Sequence, residues 1–181
     1  AVVPLVMPDI RASLPPAAMR PEGEESVLLS TDGAFPLGEI SKPTLILSGA
    51  EDTLIIGVAE AFAAAMGTAA PAPENRYPVL SAAVQATRAP VAWGLLEESN
   101  HGSFGVSGPY WWPQLKPDTQ QRHFEPDESF TLIDPQTAHR IQKELALNFF
   151  DLTIRGDGAA KRKLLDGRFA TDGLVLTSRN L

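Results

Sequence analysis

The sequence predicts an α/β protein in which helices flank a mostly parallel sheet. Two continuous apolar runs, at residues 43–48 and 91–96, have the length and composition of strands that are buried on both faces. A helical pattern separates the two runs, and a longer helical pattern at residues 134–156 follows the second. This alternation of strands and helices is typical of a parallel sheet with crossover helices, and it favours one domain over two.

The N-terminal elements follow from apolar runs and from the residues that interrupt them. Residues 1–7 are apolar and predict a first strand, and Gly49 permits a tight turn where the second strand ends. Between them, residues 8–40 contain prolines that break any long helix: Pro8, Pro15, Pro16, Pro21 and Pro36. The helix after Gly49 is predicted to end at Gly67 and to bury one face, made of Ile55, Val58, Ala59, Phe62, Ala65 and Met66.

The C-terminal elements begin with a predicted loop at residues 69–78 and a short helix at 79–87. After the strand at 91–96, residues 105–130 are rich in glycine and proline and are predicted to be irregular. The helix at 134–156 has Asp134 as its expected N-cap and Gly156 as its end. Its apolar stripe consists of Ile141, Leu145, Phe149 and Leu152. A short amphipathic segment (159–165) and a β-like tail (173–176) complete the chain.

The composition argues against several classes of function. The net charge is −7 and the isoelectric point is near 4.9, so neither a nucleic acid nor an anionic membrane surface is an expected partner. The chain has no cysteine, which excludes disulfides, thiolate metal sites and cysteine nucleophiles but leaves the compartment open. No apolar run has the length of a transmembrane helix, and the first residues lack the basic region of a signal peptide.

An acid and a histidine lie at the carboxyl ends of two successive predicted strands. Asp52 follows the apolar run at 43–48, and His101 follows the run at 91–96. Because the carboxyl ends of parallel strands meet at one edge of a sheet, both side chains are expected in one crevice. There a carboxylate can orient an imidazole, which in turn can remove the proton of a serine hydroxyl. Three alternatives stay open: Asp52 as a simple helix cap, the neighbouring Glu51 as the acid, and His101 as an ordinary loop histidine.

Two serines near His101 are candidates for the nucleophile. Ser103 and Ser107 both have glycine neighbours, but neither follows a strand and opens a helix, as a hydrolase nucleophile does. Neither is predicted to be the nucleophile.

The other two histidines are expected to be bystanders. His123 lies in an acidic segment that could bind a hard cation, but a solvated loop is the expectation and no metal site is predicted. That segment contains Arg122, Glu125, Asp127 and Glu128. His139 lies within the long C-terminal helix and is expected at the surface.

Four segments, in this order, resemble the C-terminal half of an α/β-hydrolase. Residues 1–10 resemble the strand after the nucleophile, and residues 42–52 resemble the strand that delivers the triad acid, with Asp52 in that role. Residues 100–104 (Asn-His-Gly-Ser-Phe) resemble the histidine loop, and residues 148–156 resemble the end of the terminal helix. The nearest branches are the dienelactone-hydrolase-like, platelet-activating-factor-acetylhydrolase-like and polyester-hydrolase-like esterases.

The resemblance implies a serine hydrolase that acts on carboxylic esters, either small molecules or polymers, without a cofactor. Asp52 and His101 would be two members of a Ser-Asp-His triad. The chain contains no Gly-x-Ser-x-Gly motif, so the nucleophile and the oxyanion hole are expected on an N-terminal polypeptide, which is either a separate chain that pairs with this one or the preceding part of a longer protein. Residues 1–181 would then form one partial α/β-hydrolase domain, with a possible cap segment at 11–40 and the terminal helix at 134–156.

The aromatic residues of the irregular segment have two interpretations. Tyr110, Trp111 and Trp112 can line a substrate pocket near His101, or they can form a structural plug.

Two other classes of protein are alternatives to the hydrolase. One is a catalytically inactive α/β-hydrolase-like module used for binding or scaffolding. A doubly wound nucleotide-binding domain is disfavoured because the chain has neither a Gly-x-Gly-x-x-Gly motif nor a phosphate loop.

Overall fold

A computed structural model describes residues 42–67, 69–105 and 119–181. In chain order the elements of this part are β1 (Thr44–Gly49), α1 (Thr53–Met66), α2 (Pro78–Ala86), β2 (Val91–Leu96), β3 (Thr119–Gln121), β4 (Ser129–Thr131), α3 (Pro135–Arg155), α4 (Gly158–Leu165) and β5 (Leu174–Arg179), with 3-10 turns at His101–Phe104 and Arg168–Asp172. Several predictions lie outside the described residues: the strand at 1–7, the cap at 11–40, Ser107, and the aromatic residues Tyr110, Trp111 and Trp112.

Three of the strands form one sheet in the order β1-β2-β5. β1 and β2 are parallel, with Thr44 opposite Val91 and Gly49 opposite Leu96. β5 is antiparallel to β2, with Leu174 opposite Leu96. The α/β class is therefore confirmed, but the sheet described here is mixed, and the prediction of a mostly parallel sheet is wrong for these three strands.

The path of the chain between β2 and β5 explains the antiparallel strand. α3 begins near the carboxyl end of β2, where the Ile133 N–H donates to the Glu98 carbonyl at 2.8 Å. α4 then packs against α3 and brings the chain back toward that end. At the end of this return, the Glu97 N–H donates to the Gly173 carbonyl at 2.8 Å, beside the start of β5. A crossover by one helix yields a parallel strand, whereas two successive helices return the chain to the end from which it left.

Both long helices begin and end where the sequence predicts. Asp52 caps α1 and Asp134 caps α3, each by accepting a hydrogen bond from an N–H in the first turn. Gly67 and Gly156 end these helices with φ of 64° and 70°, a left-handed conformation that favours glycine. The short helix is confirmed as α2 and the amphipathic segment as α4.

The predicted apolar face of α1 is wrong in part. Of the α1 side chains that the structure describes, Ile56 and Ala63 are buried, whereas Val58 is 50% exposed and Ile55 is only partly buried. Since α1 is apolar on nearly every side, its own sequence does not select which stripe packs on the sheet. The side chains of Phe62, Ala65 and Met66 lie outside the described part.

Helices cover both faces of the sheet. Alternate residues of β1 point to opposite faces, with Leu45 and Leu47 on one side and Ile46 on the other. The first side packs against the α3 stripe, here Ala138, Ile141, Leu145 and Phe149, with Leu152 partly buried at its edge. The second side packs against Ile56 of α1 and against Tyr77, Leu80 and Val84 in and beside α2.

The segment predicted to be irregular contains a hairpin. β3 and β4 pair in antiparallel register, with Gln120 opposite Phe130. Each strand has only three residues and no apolar run, so the local pattern carries no strand signal. Among the residues that the structure describes, no helix combines the length and the hydropathy needed to cross a membrane.

Candidate active site

Two turns meet at the carboxyl ends of β1 and β2. The Ala50 N–H donates to the Leu96 carbonyl, and the Glu51 N–H donates to the Ser99 carbonyl, both at 2.9 Å. This close approach requires glycine at position 49, because a Cβ there would lie 2.5 Å from the Ser99 carbonyl oxygen. The acid turn and the histidine turn are thereby held together by their backbones.

Asp52 lies at the bottom of this junction and is fully buried, with an exposed fraction of 0%. Its Oδ1 accepts a hydrogen bond from the Ile55 N–H at 3.2 Å, which caps α1. Its Oδ2 is buried and accepts no hydrogen bond within the described residues. Asp52 is thus the helix cap that one interpretation of the sequence expected. The cap uses Oδ1 only, and Oδ2 is available for another interaction.

His101 lies opposite the oxygen that is left over. Its Nδ1 is 3.6 Å from Asp52 Oδ2, and its side chain is 53% exposed. This separation exceeds hydrogen-bond distance, and such contacts in free active sites commonly shorten only when substrate binds. A carboxylate facing Nδ1 leaves Nε2 directed away from it, which is the arrangement that a catalytic base needs.

The turn that carries His101 is held by its neighbours. Asn100 precedes the 3-10 turn, and its Oδ1 accepts a hydrogen bond from the Gly102 N–H at 2.9 Å. In return, Ser103 Oγ accepts from the Asn100 N–H at 3.1 Å, which completes a capping box. Asn100 was not a predicted site residue, although Asn before a short helical turn is a recognised cap signal.

Burial raises the pKa of the Asp52 carboxyl above its ordinary value of 3.8. The Ile55 N–H and the charge of His101 offset part of that rise. A buried carboxylate oxygen with no hydrogen bond is costly to the folded state, since desolvation disfavours the charged form. Groups with a perturbed pKa cluster at functional sites, which makes Asp52 and the facing His101 a candidate pair.

Replacing Asp52 with asparagine is therefore expected to raise the free energy of unfolding at neutral pH, by about 1 kcal/mol. Asparagine keeps the cap on α1 and removes the buried charge, whereas Asp52→Ala also removes the cap and should be less stable than Asp52→Asn by about 1 kcal/mol. The measurement is chemical denaturation of the three proteins across a pH series.

The pH dependence has a defined sign. The folded state holds the Asp52 proton to a higher pH than the unfolded chain does, because the folded pKa lies above 3.8. The wild type should therefore lose stability relative to Asp52→Asn as the pH rises through the window that begins at 3.8 and ends at the higher folded pKa. A wild type that is the more stable protein at neutral pH would contradict this account.

Glu51, the alternative acid, is committed to other partners. It is 2% exposed, and its Oε1 accepts a hydrogen bond from Arg122 Nη1 at 2.8 Å. Its Oε2 accepts from the His123 N–H at 3.2 Å, and Arg76 Nη2 lies 3.7 Å from Oε1. Of the two adjacent acids, only Asp52 faces His101.

Serines close to the two turns are engaged in other hydrogen bonds. Ser103 Oγ belongs to the capping box of Asn100, and Ser99 Oγ donates to the Leu96 carbonyl at 2.8 Å. Ser48 Oγ accepts from Trp93 Nε1 at 3.2 Å. Within the described ranges, no serine hydroxyl forms a hydrogen bond with the His101 ring.

The other two histidines lie away from this pair. His139 is exposed on α3, as predicted. His123 is 13% exposed, and its Nε2 lies 3.0 Å from Glu60 Oε1, so it is not the solvated residue that was expected. The neighbouring acids Glu125, Asp127 and Glu128 are exposed. In the part of the chain that the structure describes, no three histidine or acidic side chains are grouped so as to hold a metal ion.

Two aromatic residues that the sequence analysis did not single out lie beside the acid turn. The Tyr77 hydroxyl donates a hydrogen bond to the Gly49 carbonyl. Burial, together with the nearby Asp52 carboxylate, raises the pKa of Tyr77, so the phenol stays protonated as a donor. Tyr77 and Trp93 are in edge-to-face contact and line an open depression of about 330 Å³ whose wall includes neither Asp52 nor His101.

Comparison with known proteins adds no family. The chain matches no family model, and neither a curated protein nor a solved structure shows significant similarity to it.

Proposed function

We propose that this chain supplies the acid and the base of a serine hydrolase that cleaves carboxylic esters. The observation that carries the proposal is the buried Asp52 Oδ2, which has no hydrogen bond in the described structure and lies 3.6 Å from His101 Nδ1. Oδ1 of this carboxylate caps α1, but the buried Oδ2 has no such partner among the described residues, and action on the facing imidazole is the role that its position supports.

The chemistry follows from the two ring nitrogens. Once the 3.6 Å separation shortens on substrate binding, His101 Nδ1–H donates to Asp52, which holds the ring in one tautomer and leaves Nε2 as the acceptor. Nε2 takes the proton of a serine hydroxyl as the serine oxygen adds to the ester carbonyl carbon, and His101 then returns that proton to the departing alcohol. In the second half of the reaction, Nε2 takes a proton from water as the water oxygen adds to the carbonyl carbon of the acyl-serine. His101 then returns that proton to the serine oxygen, and the carboxylic acid is released. Asp52 stays ionised and stabilises the imidazolium.

The nucleophile of this reaction is proposed to belong to an N-terminal polypeptide outside the 181 residues. The absence of a Gly-x-Ser-x-Gly motif and the engagement of the described serines near His101 support that assignment. The same polypeptide would supply the oxyanion hole. The order of acid and histidine after two successive parallel strands further supports a relation to the C-terminal half of the α/β-hydrolase fold.

Labelling with a fluorophosphonate tests the proposal directly. The reagent forms a phosphorus–oxygen bond with an activated serine and expels fluoride, so intact mass locates the nucleophile. We expect one adduct on a polypeptide that co-purifies with this chain and no adduct on this chain. The labelling rate should fall at least about 100-fold in His101→Ala, because the hydroxyl then lacks its base.

Two outcomes would contradict the proposal. An adduct on Ser103 would place the nucleophile within this chain. No adduct on any polypeptide of an intact, folded preparation would favour a binding or scaffolding module that has the pair but no catalysis.

A further inference from the structure

The β3–β4 hairpin contacts the acid turn through the residue that precedes Asp52. Glu51 is buried and accepts hydrogen bonds from Arg122 Nη1 at 2.8 Å and from the His123 N–H at 3.2 Å. Arg122 and His123 directly follow β3. Because charge-assisted hydrogen bonds are stronger in a buried setting, Glu51 ties this end of the hairpin to the acid turn.

The same hairpin contacts the histidine turn through the residue that precedes His101. Asn100 Nδ2 donates to Gln120 Oε1 at 3.2 Å, and Gln120 is the central residue of β3. Just beyond β4, the Ile133 N–H donates to the Glu98 carbonyl. One short element therefore holds both members of the candidate pair, each through its preceding neighbour.

Interactions within the hairpin link Arg122, which contacts Glu51, to Gln120, which contacts Asn100. The Arg122 N–H donates to the Glu128 carbonyl at 3.0 Å, which continues the ladder of β3 and β4. The Arg122 guanidinium also lies over the ring of Phe130, 5.4 Å from its centroid, and Phe130 is buried. Only one residue, Gln121, lies between Gln120 and Arg122.

We propose that Glu51 is a positioning residue that sets the separation of His101 and Asp52 through Arg122, Gln120 and Asn100. The inference rests on the proposed function in taking Asp52 and His101 as the working pair. Within that function, Glu51 does not touch the reacting atoms. It holds the hairpin, and the hairpin holds the histidine turn so that Nδ1 lies 3.6 Å from Asp52 Oδ2.

The tautomer of the His101 ring depends on the distance between Nδ1 and Asp52 Oδ2, and it can be measured without any substrate. A carboxylate close to Nδ1 favours the Nδ1–H tautomer, and a more distant one does not. The chain has three histidines, so long-range proton–nitrogen correlation spectra contain few ring signals. Comparison with His101→Gln and His139→Gln identifies the His101 signals. The spectra are recorded on the full chain, with any polypeptide that co-purifies with it, at a pH where free imidazole is neutral.

In the wild type we expect the Nδ1–H form of His101 to dominate. Glu51→Gln and Gln120→Ala should each lower the ratio of Nδ1–H to Nε2–H about fivefold, because the charge of the Asp52 carboxylate then lies farther from Nδ1 and attracts its proton less strongly. Asp127→Asn is the matched control, since it removes a negative charge from an exposed position on the same hairpin and should leave the ratio unchanged. If Glu51→Gln does not fold, Arg122→Gln replaces it, because that variant leaves Glu51 its contacts with Arg76 and the His123 N–H.

Two results would overturn the proposal, and they are distinct. A wild-type ratio in the folded Glu51→Gln or in its replacement Arg122→Gln would show that Glu51 only supports the fold. A wild type without any preference for Nδ1–H would remove the Asp52–His101 pair itself, and with it both this proposal and the proposed function. The first result leaves the proposed function intact.

Discussion

Replacing His101 with alanine is expected to lower ester turnover by about four orders of magnitude or more. In the proposed reaction, the serine hydroxyl would then keep its proton, and the departing alcohol would have no acid to protonate it. The side chain is half exposed and is not a member of the buried apolar clusters among the described residues, so the free energy of unfolding should change by less than about 0.5 kcal/mol. Steady-state hydrolysis of a chromogenic ester and chemical denaturation measure the two quantities on the same preparation.

The matched control for this variant is His139→Ala, which removes the same side chain from an exposed position on α3. It should keep wild-type turnover. Equal turnover of His101→Ala and the wild type would exclude His101 as the base. A loss of turnover that is matched by a loss of folding would indicate a structural role instead.

Replacing Gly49 with alanine is expected to lower the free energy of unfolding by about 3 kcal/mol and to reduce turnover as well. The new Cβ would lie 2.5 Å from the Ser99 carbonyl oxygen, 2.8 Å from the Ser99 carbonyl carbon and 2.9 Å from Asn100 Cα. All three are backbone atoms, so no side-chain rotation relieves the overlap. The histidine turn has to move away from the acid turn, which takes His101 away from Asp52. Thermal or chemical denaturation, together with the ester assay, measures both effects.

Gly57→Ala is the control for this second prediction. A Cβ at Gly57, within α1, meets nothing within 4 Å. Alanine also has the higher helix propensity, so this variant should be more stable than the wild type by about 0.5–1 kcal/mol. Changes of opposite sign in the free energy of unfolding of Gly49→Ala and Gly57→Ala would support a steric clash at position 49. Similar stabilities of the two variants would refute it.

The elements that were predicted correctly are those whose signal is local. β1 and β2 are continuous apolar runs of strand length, and α3 has a cap at Asp134, a regular apolar stripe and a left-handed glycine at its end. Each of these features lies within one turn or one strand of the residues that it orders. Neighbouring residues alone therefore suffice to recognise it.

The elements that were missed depend on partners far away in the chain. The hairpin strands have three residues each and form because Arg122 and Gln120 reach Glu51 and Asn100. The direction of β5 depends on the return path through two helices, and the buried stripe of α1 depends on where the sheet lies. None of these relationships appears in a local pattern.

In the candidate site too, some features follow from local sequence and others depend on residues far away in the chain. The sequence by itself determined that an acid and a histidine follow two successive strands, because strand ends and turn residues are local properties. The spacing after Gly49 favoured Asp52 over Glu51, and the tertiary structure adds the reason that Glu51 does not face His101, which is its contacts with Arg76, Arg122 and His123. Adjacent side chains on a turn point in different directions, and the distant groups packed around them determine which carboxylate is left without a partner.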